Sequence, residues 1–395
     1  MFTFEKKRKD TMILNLGPSH NATHGTLRII LELDGEIIEN ATLEIGYLHR
    51  GIEKMAEHRT YNGFIPLTDR MNYVSPIMNN IAYALAVEKL LGIEAPKRAQ
   101  YIRVIMNEFS RIADHLVAIG TNVVDIGALT NYFYFFKERE RIYDLIEKVV
   151  GARLTTAFTR IGGIARDVPN DFKDMVRFLL KEIPNSINDV DRLLTKNRIF
   201  MDRTINVGAI TQERALEYGF TGPVLRATGF AWDLRKAQPY SSYEDFEFDI
   251  PTGENGDTYD RYLVRMEEMR QSLRIIQQAI DRLPDGPVNV EDPHITLPPK
   301  EEVYNTMEGL IHHFMLIMYG IKAKPGYVYF GTEVANGELG FYIVSDGQQY
   351  PYRLKVRPPC FAIFQAFPEM IKGHLISDAI AILGSLNIVA GELDR

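Results

Sequence analysis

Apolar and polar residues alternate near the start of the chain, the pattern of a β-strand with one buried face. The apolar side chains of that face are Leu27, Ile29, Leu31 and Leu33. The Asp34–Gly35 pair that follows favours a two-residue turn that reverses the chain. We therefore predict a β-hairpin over about 26–48, with a return strand from Glu36 to Leu48.

Further along, apolar residues recur at intervals of three and four, which is the period of an amphipathic helix. Ser75–Pro76 predicts the start of one helix and Gly92 its end, because serine and proline favour helix starts and glycine favours helix ends. Further helices are expected over 50–58, 99–125, 131–150 with Thr130 as its cap, 172–198 with a break at Pro184, 259–283, 302–319 and 376–386.

Turn-forming residues divide the last third of the chain. Five prolines between 284 and 299 indicate an extended connector, and Asn336–Gly337 and Asp346–Gly347 predict two hairpins. The elements together predict an α+β fold that is mainly α, a helix bundle with small antiparallel sheets at its margins. We expect an N-terminal extension over 1–13 and a single domain over 14–395, with the hairpin at about 26–48, a helical core at about 76–283 and C-terminal hairpins plus a helix at about 326–395.

Composition narrows the class of protein. The 395 residues are 46% hydrophobic and 25% charged, a balance typical of globular proteins, and the net charge of −7 does not favour nucleic-acid binding. Cys360 is the single cysteine, which excludes an internal disulfide and a self-contained iron–sulfur or cysteine-based zinc site. No run of 18 apolar residues predicts a membrane span, and the charged first ten residues do not resemble a signal peptide.

Two histidines stand in a turn-rich stretch, Gly17-Pro18-Ser19-His20-Asn21-Ala22-Thr23-His24-Gly25. At the edge of a rigid hairpin, their titratable side chains can present proton donors to a ligand. The alternative is a pair of ordinary surface histidines. A metal site is not expected, because the spacing is loop-like and no HExxH motif occurs.

Two arginines and one aspartate are further candidates. A cation such as Arg50 or Arg70 beside a negatively charged redox centre would favour its reduced state, whereas the alternative is ion pairing with neighbouring acids such as Asp69. Asp125 ends a predicted helix among apolar residues, where a buried carboxylate is costly unless it is paired. A His–Asp pair would be a candidate proton relay, and the alternative is a carboxylate that caps the next turn.

Taken together, the motifs resemble the 49 kDa, or D, subunit of respiratory complex I, the NADH–quinone oxidoreductase, from about Leu14 to Arg395. The stretches that carry this resemblance are 17–28, 47–53, 82–90, 125–128, 239–243, 259–262, 337–340 and 391–395. That family is similar in fold to the large subunit of nickel–iron hydrogenases. The resemblance therefore implies a hydrogenase-large-subunit-like helix bundle.

Hydrogenase large subunits hold their metals with two CxxC motifs. The corresponding positions here resemble Asn72, Ser75, Val389 and Glu392, none of which supplies a thiolate for a soft metal. The resemblance implies that the former metal pocket has become a quinone chamber. Because an active hydrogenase needs the four thiolates, that alternative function is not favoured.

The resemblance also implies roles for individual residues. His24 and Tyr73 would donate hydrogen bonds to the two sides of a quinone headgroup, and Asp125 would pair with His24 and help to supply protons. These three would be the catalytic residues. Further contacts to quinone are expected from His20 and Thr121. The same resemblance would place two cations, Arg50 and Arg70, near the terminal iron–sulfur cluster of a neighbouring B subunit.

The implied function is that of a peripheral-arm subunit that forms the quinone-reduction chamber with the B subunit and couples electron transfer from NADH to proton translocation. This chain would bind no cofactor of its own, quinone would be the substrate, and the iron–sulfur cluster would lie in the partner. Expected partners are the B and C subunits and the subunits of the membrane arm. We expect a peripheral position on the cytoplasmic side of the bacterial inner membrane. The alternative is a non-catalytic assembly scaffold.

One position departs from the family pattern. Thr155 stands where many members have a histidine that is associated with protonation of the cluster. Its absence puts a pH-linked cluster potential in doubt. A lower-potential quinone such as menaquinone is the hypothesis that follows.

Overall fold

The computed structural model describes residues 11–395, and it confirms an α+β fold that is mainly α. Two three-stranded antiparallel sheets and a two-stranded ribbon accompany the helices. The strands are β1 Met12–Leu16, β2 Arg28–Asp34, β3 Ile37–Glu44, β4 Thr159–Arg160, β5 Gly163–Ile164, β6 Gly326–Val334, β7 Gly337–Ser345 and β8 Arg353–Arg357.

The first sheet is larger than the predicted hairpin, because β1 pairs with β2 in the order β1-β2-β3. The turn lies at Gly35–Glu36, one residue later than predicted, and a register shift at Glu32/Leu33 disturbs the ladder nearby. The return strand ends at Glu44 rather than at Leu48. Residues 1–10 of the predicted N-terminal extension lie outside the described residues, and β1 begins before residue 14.

Helices form most of the remaining structure. They are α1 Ile52–Ala56, α2 Tyr61–Thr68, α3 Pro76–Leu91, α4 Lys97–Asp125, α5 Leu129–Val150, α6 Phe172–Val190, α7 Arg198–Asp202, α8 Gln212–Glu217, α9 Gly222–Arg226, α10 Leu234–Ala237, α11 Thr258–Asp281, α12 Lys300–Asn305, α13 Met307–Tyr319, α14 Pro359–Gln365, α15 Phe367–Ile371, α16 Ile376–Leu386 and α17 Ala390–Asp394. Among residues 11–395, no helix is both long and apolar enough to cross a membrane.

Several predicted helix boundaries are wrong. Pro184 lies inside α6 and does not break it, since the helix buries an apolar face on both sides of the proline and continues into a π-helical turn over Asp191–Thr195. Thr130 lies within the first turn of α5, where the capping position is Ala128. The predicted 302–319 helix is two helices, interrupted at Thr306, whose side chain caps α13.

The second large sheet differs in its turns. β6 and β7 are joined at Ala335–Asn336 rather than at Asn336–Gly337, because Val334 pairs with Gly337. Asp346 and Gly347 begin a longer loop over 346–352 instead of a tight turn. The two predicted hairpins are nevertheless present as one antiparallel sheet in the order β6-β7-β8.

Helix α4 is the centre of the core and contacts α3, α5, α11 and α16. Its buried side includes charged residues that have partners: Arg103 lies 2.6 Å from Glu88, and His115 lies 2.8 Å from Glu268. Buried charges are tolerated only when they are paired in this way. These ion pairs fix the direction of α4 in the core. The last turns of α4 then extend beyond the core, and they carry Thr121 and Asp125.

Candidate active site

A cavity of about 420 Å³ lies where the C-terminal end of α4 meets three connecting segments. Valine, leucine and isoleucine side chains form much of its wall, with polar groups at a few points, as is usual for small-molecule sites. The lining residues are Asn21, His24, Tyr73, Val74, Val117, Thr121, Val124, Asp125, Leu129, Tyr132, Asn387, Ile388 and Val389. The predicted catalytic residues His24, Tyr73 and Asp125 all face this one cavity.

His24 comes from the loop between β1 and β2. Gly17 approaches the carbonyl of Leu27 so closely that a Cβ there would lie 2.0 Å from the oxygen, which closes the base of the loop. Inside the loop, His20 caps a short 3-10 turn, with its Nδ1 accepting the Ala22 N–H at 3.2 Å. His24 ends that turn with a positive φ of 53°, and its Nε2 is hydrogen-bonded to Asp125 Oδ2.

The His24–Asp125 pair joins residues 101 positions apart. Both side chains are mostly buried, with exposed fractions of 18% and 19%. The predicted pairing is therefore present, and Asp125 does not act merely as a helix-end carboxylate. A pair of this kind can hold a proton at the cavity wall.

Tyr73 lies in the short loop that precedes α3. Asn72 stabilises this loop, because its Oδ1 accepts the backbone N–H groups of Val74 at 3.1 Å and Ser75 at 3.3 Å. Tyr73 is 42% exposed, and the partial burial of its ring raises the pKa of the phenol above its ordinary value, so the hydroxyl stays protonated and can donate. Within residues 11–395, its hydroxyl has no protein hydrogen-bond partner in the structure.

The other predicted contacts to quinone differ in position. Thr121 lines the cavity, but its hydroxyl donates to the Val117 carbonyl at 2.9 Å, which leaves only its lone pairs for a ligand. His20 does not line the cavity, and its observed role is the cap described above.

Arg50 and Arg70 lie side by side, away from the cavity lining. Arg50 donates to the Arg70 carbonyl at 2.7 Å, and Arg70 donates to the Pro66 carbonyl at 2.5 Å. Only Arg70 approaches Asp69, at 3.8 Å, so the two guanidinium groups are held mainly by backbone oxygens. They form a cationic patch at the end of α2.

The four positions that the resemblance places at metal ligands come together in space. Asn72 donates to Glu392 at 2.9 Å, and Ser75 donates to Asp114 at 2.8 Å. Val389 lines the cavity. Burial raises the pKa of the Glu392 carboxyl. Hydrogen bonds between neutral and acidic groups thus fill this region, and residues 11–395 contain no cluster of three or more His, Cys, Asp or Glu suited to a metal.

Several residues of the cavity lining were not predicted from the sequence, and Asn387 and Tyr132 are two of them. Asn387 lines the cavity and donates to Asp114 at 2.6 Å. Tyr132 lines another part of the wall and stacks on Phe136, with ring centroids 3.8 Å apart. Asn387 lies two residues before Val389, a position that the family resemblance already assigns to the site, so this closeness in sequence is a signal that could have identified it. Tyr132 gives no such signal, because its spacing is that of an ordinary helical core residue.

Thr155 is exposed, and the residues next to it contact a buried acid. The backbone N–H of Ala157 donates to Asp69 Oδ2 at 3.1 Å. Burial raises the pKa of the Asp69 carboxyl to about 6. The segment around Thr155 therefore contacts a buried carboxyl whose pKa is raised to about 6.

These features define a mainly helical protein with a cavity that is lined by a His–Asp pair and a tyrosine. Residues 125–395 match the family described as "Respiratory-chain NADH dehydrogenase, 49 Kd subunit". The chain belongs to this family, and it is one subunit of an oxidoreductase complex.

Curated relatives match this chain in sequence over almost its whole length. The D subunit of the NADH-quinone oxidoreductase of Geotalea uraniireducens is 53% identical over 98% of this chain and 99% of its own. The D subunit of the Leptospira biflexa enzyme is 50% identical over 99% and 97%. The C/D subunit of the Bdellovibrio bacteriovorus enzyme is 56% identical over 97% of this chain and 68% of that longer protein.

Proposed function

We propose that the cavity at the end of α4 binds a quinone headgroup and that this chain supplies the protons for its reduction. The observation that carries the proposal is the placement of His24, Asp125 and Tyr73 on one cavity of about 420 Å³ with largely apolar walls. Apolar walls suit a neutral ring, and donors are needed where negative charge develops on its oxygens. The substrate assignment also draws on the names of the relatives.

Reduction to the quinol adds two electrons and two protons to the ring. An iron–sulfur cluster in a neighbouring B subunit, outside this chain, would supply the electrons. One new O–H bond takes its proton from the His24–Asp125 pair and the other takes the Tyr73 phenolic proton. Because Asp125 accepts the Nε2 proton, a second proton on Nδ1 makes that nitrogen the donor to the ligand.

The wider role follows from the same assignment. The chain would form the chamber together with the B subunit, contact the C subunit and the membrane arm, and lie on the cytoplasmic side of the bacterial inner membrane. Helix α13 suits burial within an assembly, because it exposes a run of large apolar side chains that includes Leu310, Ile311, Phe314 and Ile317. Quinone reduction here would be coupled to proton translocation by the membrane arm.

A non-catalytic scaffold is the second candidate function. The same exposed apolar helix suits a scaffold as well as a member of an enzyme complex. A scaffold, however, has no use for a His–Asp pair and a tyrosine that line one cavity. The two functions are separated by variants that assemble normally and are then assayed for quinone reduction.

Filling the cavity provides the direct test. We expect Val117→Trp, made in the assembled complex, to lower quinone reduction at least about tenfold, because the indole occupies the volume that the headgroup needs. Electron transfer from NADH to an artificial acceptor that bypasses the quinone should be unchanged. Ala209→Trp is the matched control, since it adds a bulky side chain to a separate cavity of about 380 Å³. Normal quinone reduction by an assembled Val117→Trp complex would refute the assignment.

The threonine at position 155, where many family members are expected to have a histidine, leads to a second prediction. Without the family's histidine, we expect the midpoint potential of the terminal cluster to be nearly independent of pH, as suits a lower-potential quinone such as menaquinone. A redox titration of the complex at several pH values measures this. A slope of about 60 mV per pH unit, one proton per electron, would contradict the prediction. Repeating the titration on Asp69→Asn would then show whether the buried Asp69 carboxyl has taken over the role.

A further inference from the structure

Helix α17 lies between the two loops that carry the proposed proton donors. On one side, the methyl group of Ala390 packs against Gly25, where an added Cβ would lie 2.8 Å from Ala390 Cβ. On the other side, Gly391 packs against the Tyr73 loop, where an added Cβ would lie 2.7 Å from the Met71 carbonyl oxygen and 3.3 Å from Tyr73 Cδ1. Neighbouring residues of one short helix thus touch both loops.

Hydrogen bonds fix α17 in this position. Glu392 accepts from Asn72 at 2.9 Å and from the Cys360 backbone N–H at 3.1 Å. Asp394 accepts the backbone N–H groups of Gly46 and Leu48, both at 2.8 Å. The side chain of Glu392 is almost completely buried. The bonds to Cys360, Gly46 and Leu48 tie the helix to segments outside the two donor loops. The bond to Asn72 ties it to the Tyr73 loop itself.

We propose that Ala390 and Gly391 set the spacing between His24 and Tyr73 and thereby determine which quinone headgroups the cavity can reduce. The inference rests on the proposed quinone reduction. Gly25 follows His24 directly, so displacement at Gly25 moves the imidazole. A Cβ added at Gly391 would meet the Tyr73 ring at 3.3 Å. A quinone must meet donors at two opposite carbonyl oxygens, so the separation of the donors selects among rings of different size and substitution. Ala390 and Gly391 are positioning residues, since they act through His24 and Tyr73.

The contact between Gly25 and Ala390 permits a compensation test. Gly25→Ala places a methyl group against the methyl group of Ala390 and forces the His24 loop away. Removing the second methyl group with Ala390→Gly relieves the clash, because the next atom of residue 390 is its backbone nitrogen at 3.7 Å, an ordinary contact. The double variant therefore moves one methyl group across the interface and restores the spacing.

The experiment uses the assembled complex with a short-chain benzoquinone and a short-chain naphthoquinone. We expect Gly25→Ala to lower kcat/KM about tenfold to 100-fold, since small misplacements of reacting groups are costly, and to change the ratio of the two substrates. Gly25→Ala/Ala390→Gly should recover both the rate and the ratio to within roughly threefold, the signature of coupled neighbours. A general loss of structure would lower both rates without changing their ratio and would not be rescued.

Gly391→Ala extends the test to the Tyr73 side, where no neighbouring methyl group can be removed, and it should also change the substrate ratio. Gly120→Ala is the matched control, because its added Cβ would meet Tyr132 at an ordinary 3.5 Å, and both rates should be retained. If Gly25→Ala does not assemble, the substrate ratio of Ala390→Gly alone decides, since the lost methyl group lets the His24 loop move inward.

The outcomes separate this inference from the proposed function. Full quinone reduction by assembled His24→Gln and Tyr73→Phe complexes would overturn the proposed function. If those variants are impaired, an unchanged substrate ratio in Gly25→Ala, Ala390→Gly and Gly391→Ala would overturn only the spacing role. A double variant no better than Gly25→Ala would do the same.

Discussion

Replacing Tyr73 with phenylalanine should lower quinone reduction by the assembled complex roughly 100-fold or more, which is the usual contribution of a positioned proton donor. The substitution removes one oxygen atom and keeps the ring, which lies 3.3 Å from the position of a Cβ added at Gly391. Burial raises the pKa of the phenol, so the wild-type group is available as a donor over the physiological pH range. Steady-state NADH oxidation with a short-chain quinone measures the effect.

The tyrosine prediction has two controls. Tyr304→Phe removes a hydroxyl from a side chain that is 82% exposed on α12, and it should leave quinone reduction unchanged. Transfer of electrons from NADH to an artificial acceptor should be normal in both variants, which shows that the upstream carriers are intact. If Tyr73→Phe assembles and reduces quinone at the wild-type rate, the phenol is not a proton donor.

Replacing Asp125 with asparagine should have a comparable effect, with a loss of roughly 100-fold in quinone reduction. The carboxylate accepts the Nε2 proton of His24, and an amide cannot stabilise a protonated imidazole in the same way. Because the two side chains act as a unit, the His24→Gln/Asp125→Asn double variant should lose little more than either single variant. A double-mutant cycle on kcat measures this coupling.

Asp281→Asn is the matched control for Asp125→Asn, since both aspartates close a long helix. Asp281 accepts a hydrogen bond from Gln277 at 2.6 Å on the exposed end of α11, away from the cavity. It should retain full activity and assembly. Fully additive losses in the cycle would mean that His24 and Asp125 act separately, and wild-type activity in Asp125→Asn would exclude the carboxylate from proton supply.

Local sequence signals predicted the bounds of helices well where the structure of a segment depends mainly on its own residues. The Ser75–Pro76 start and Gly92 end of α3 are confirmed. Helix α16 has the predicted bounds 376–386, but it is not the last helix as predicted, because α17 follows it. The same signals failed where packing competed with them. Pro184 is accommodated because burial of the apolar face of α6 outweighs the missing hydrogen bond, and Ser75 donates to Asp114 instead of capping α3.

The candidate site shows the same division. Motif resemblance indicated His24, Tyr73, Thr121 and Asp125, and all four line one cavity. It also indicated His20, which the structure places outside that lining as a turn cap. Two histidines four residues apart in one loop have similar local surroundings. Only the path of the loop past the end of α4 brings His24 to Asp125.

The sequence by itself determined the mainly helical class, the family, the absence of an internal disulfide and the candidate donors, because periodicity, composition and motifs are properties of the chain alone. The tertiary structure decided that His24 meets Asp125, that Asn72 meets Glu392, and that Ala390 and Gly391 separate the two donor loops. These contacts join segments that are up to several hundred residues apart in the chain. Their geometry depends on how the whole core packs around α4, which no local pattern specifies.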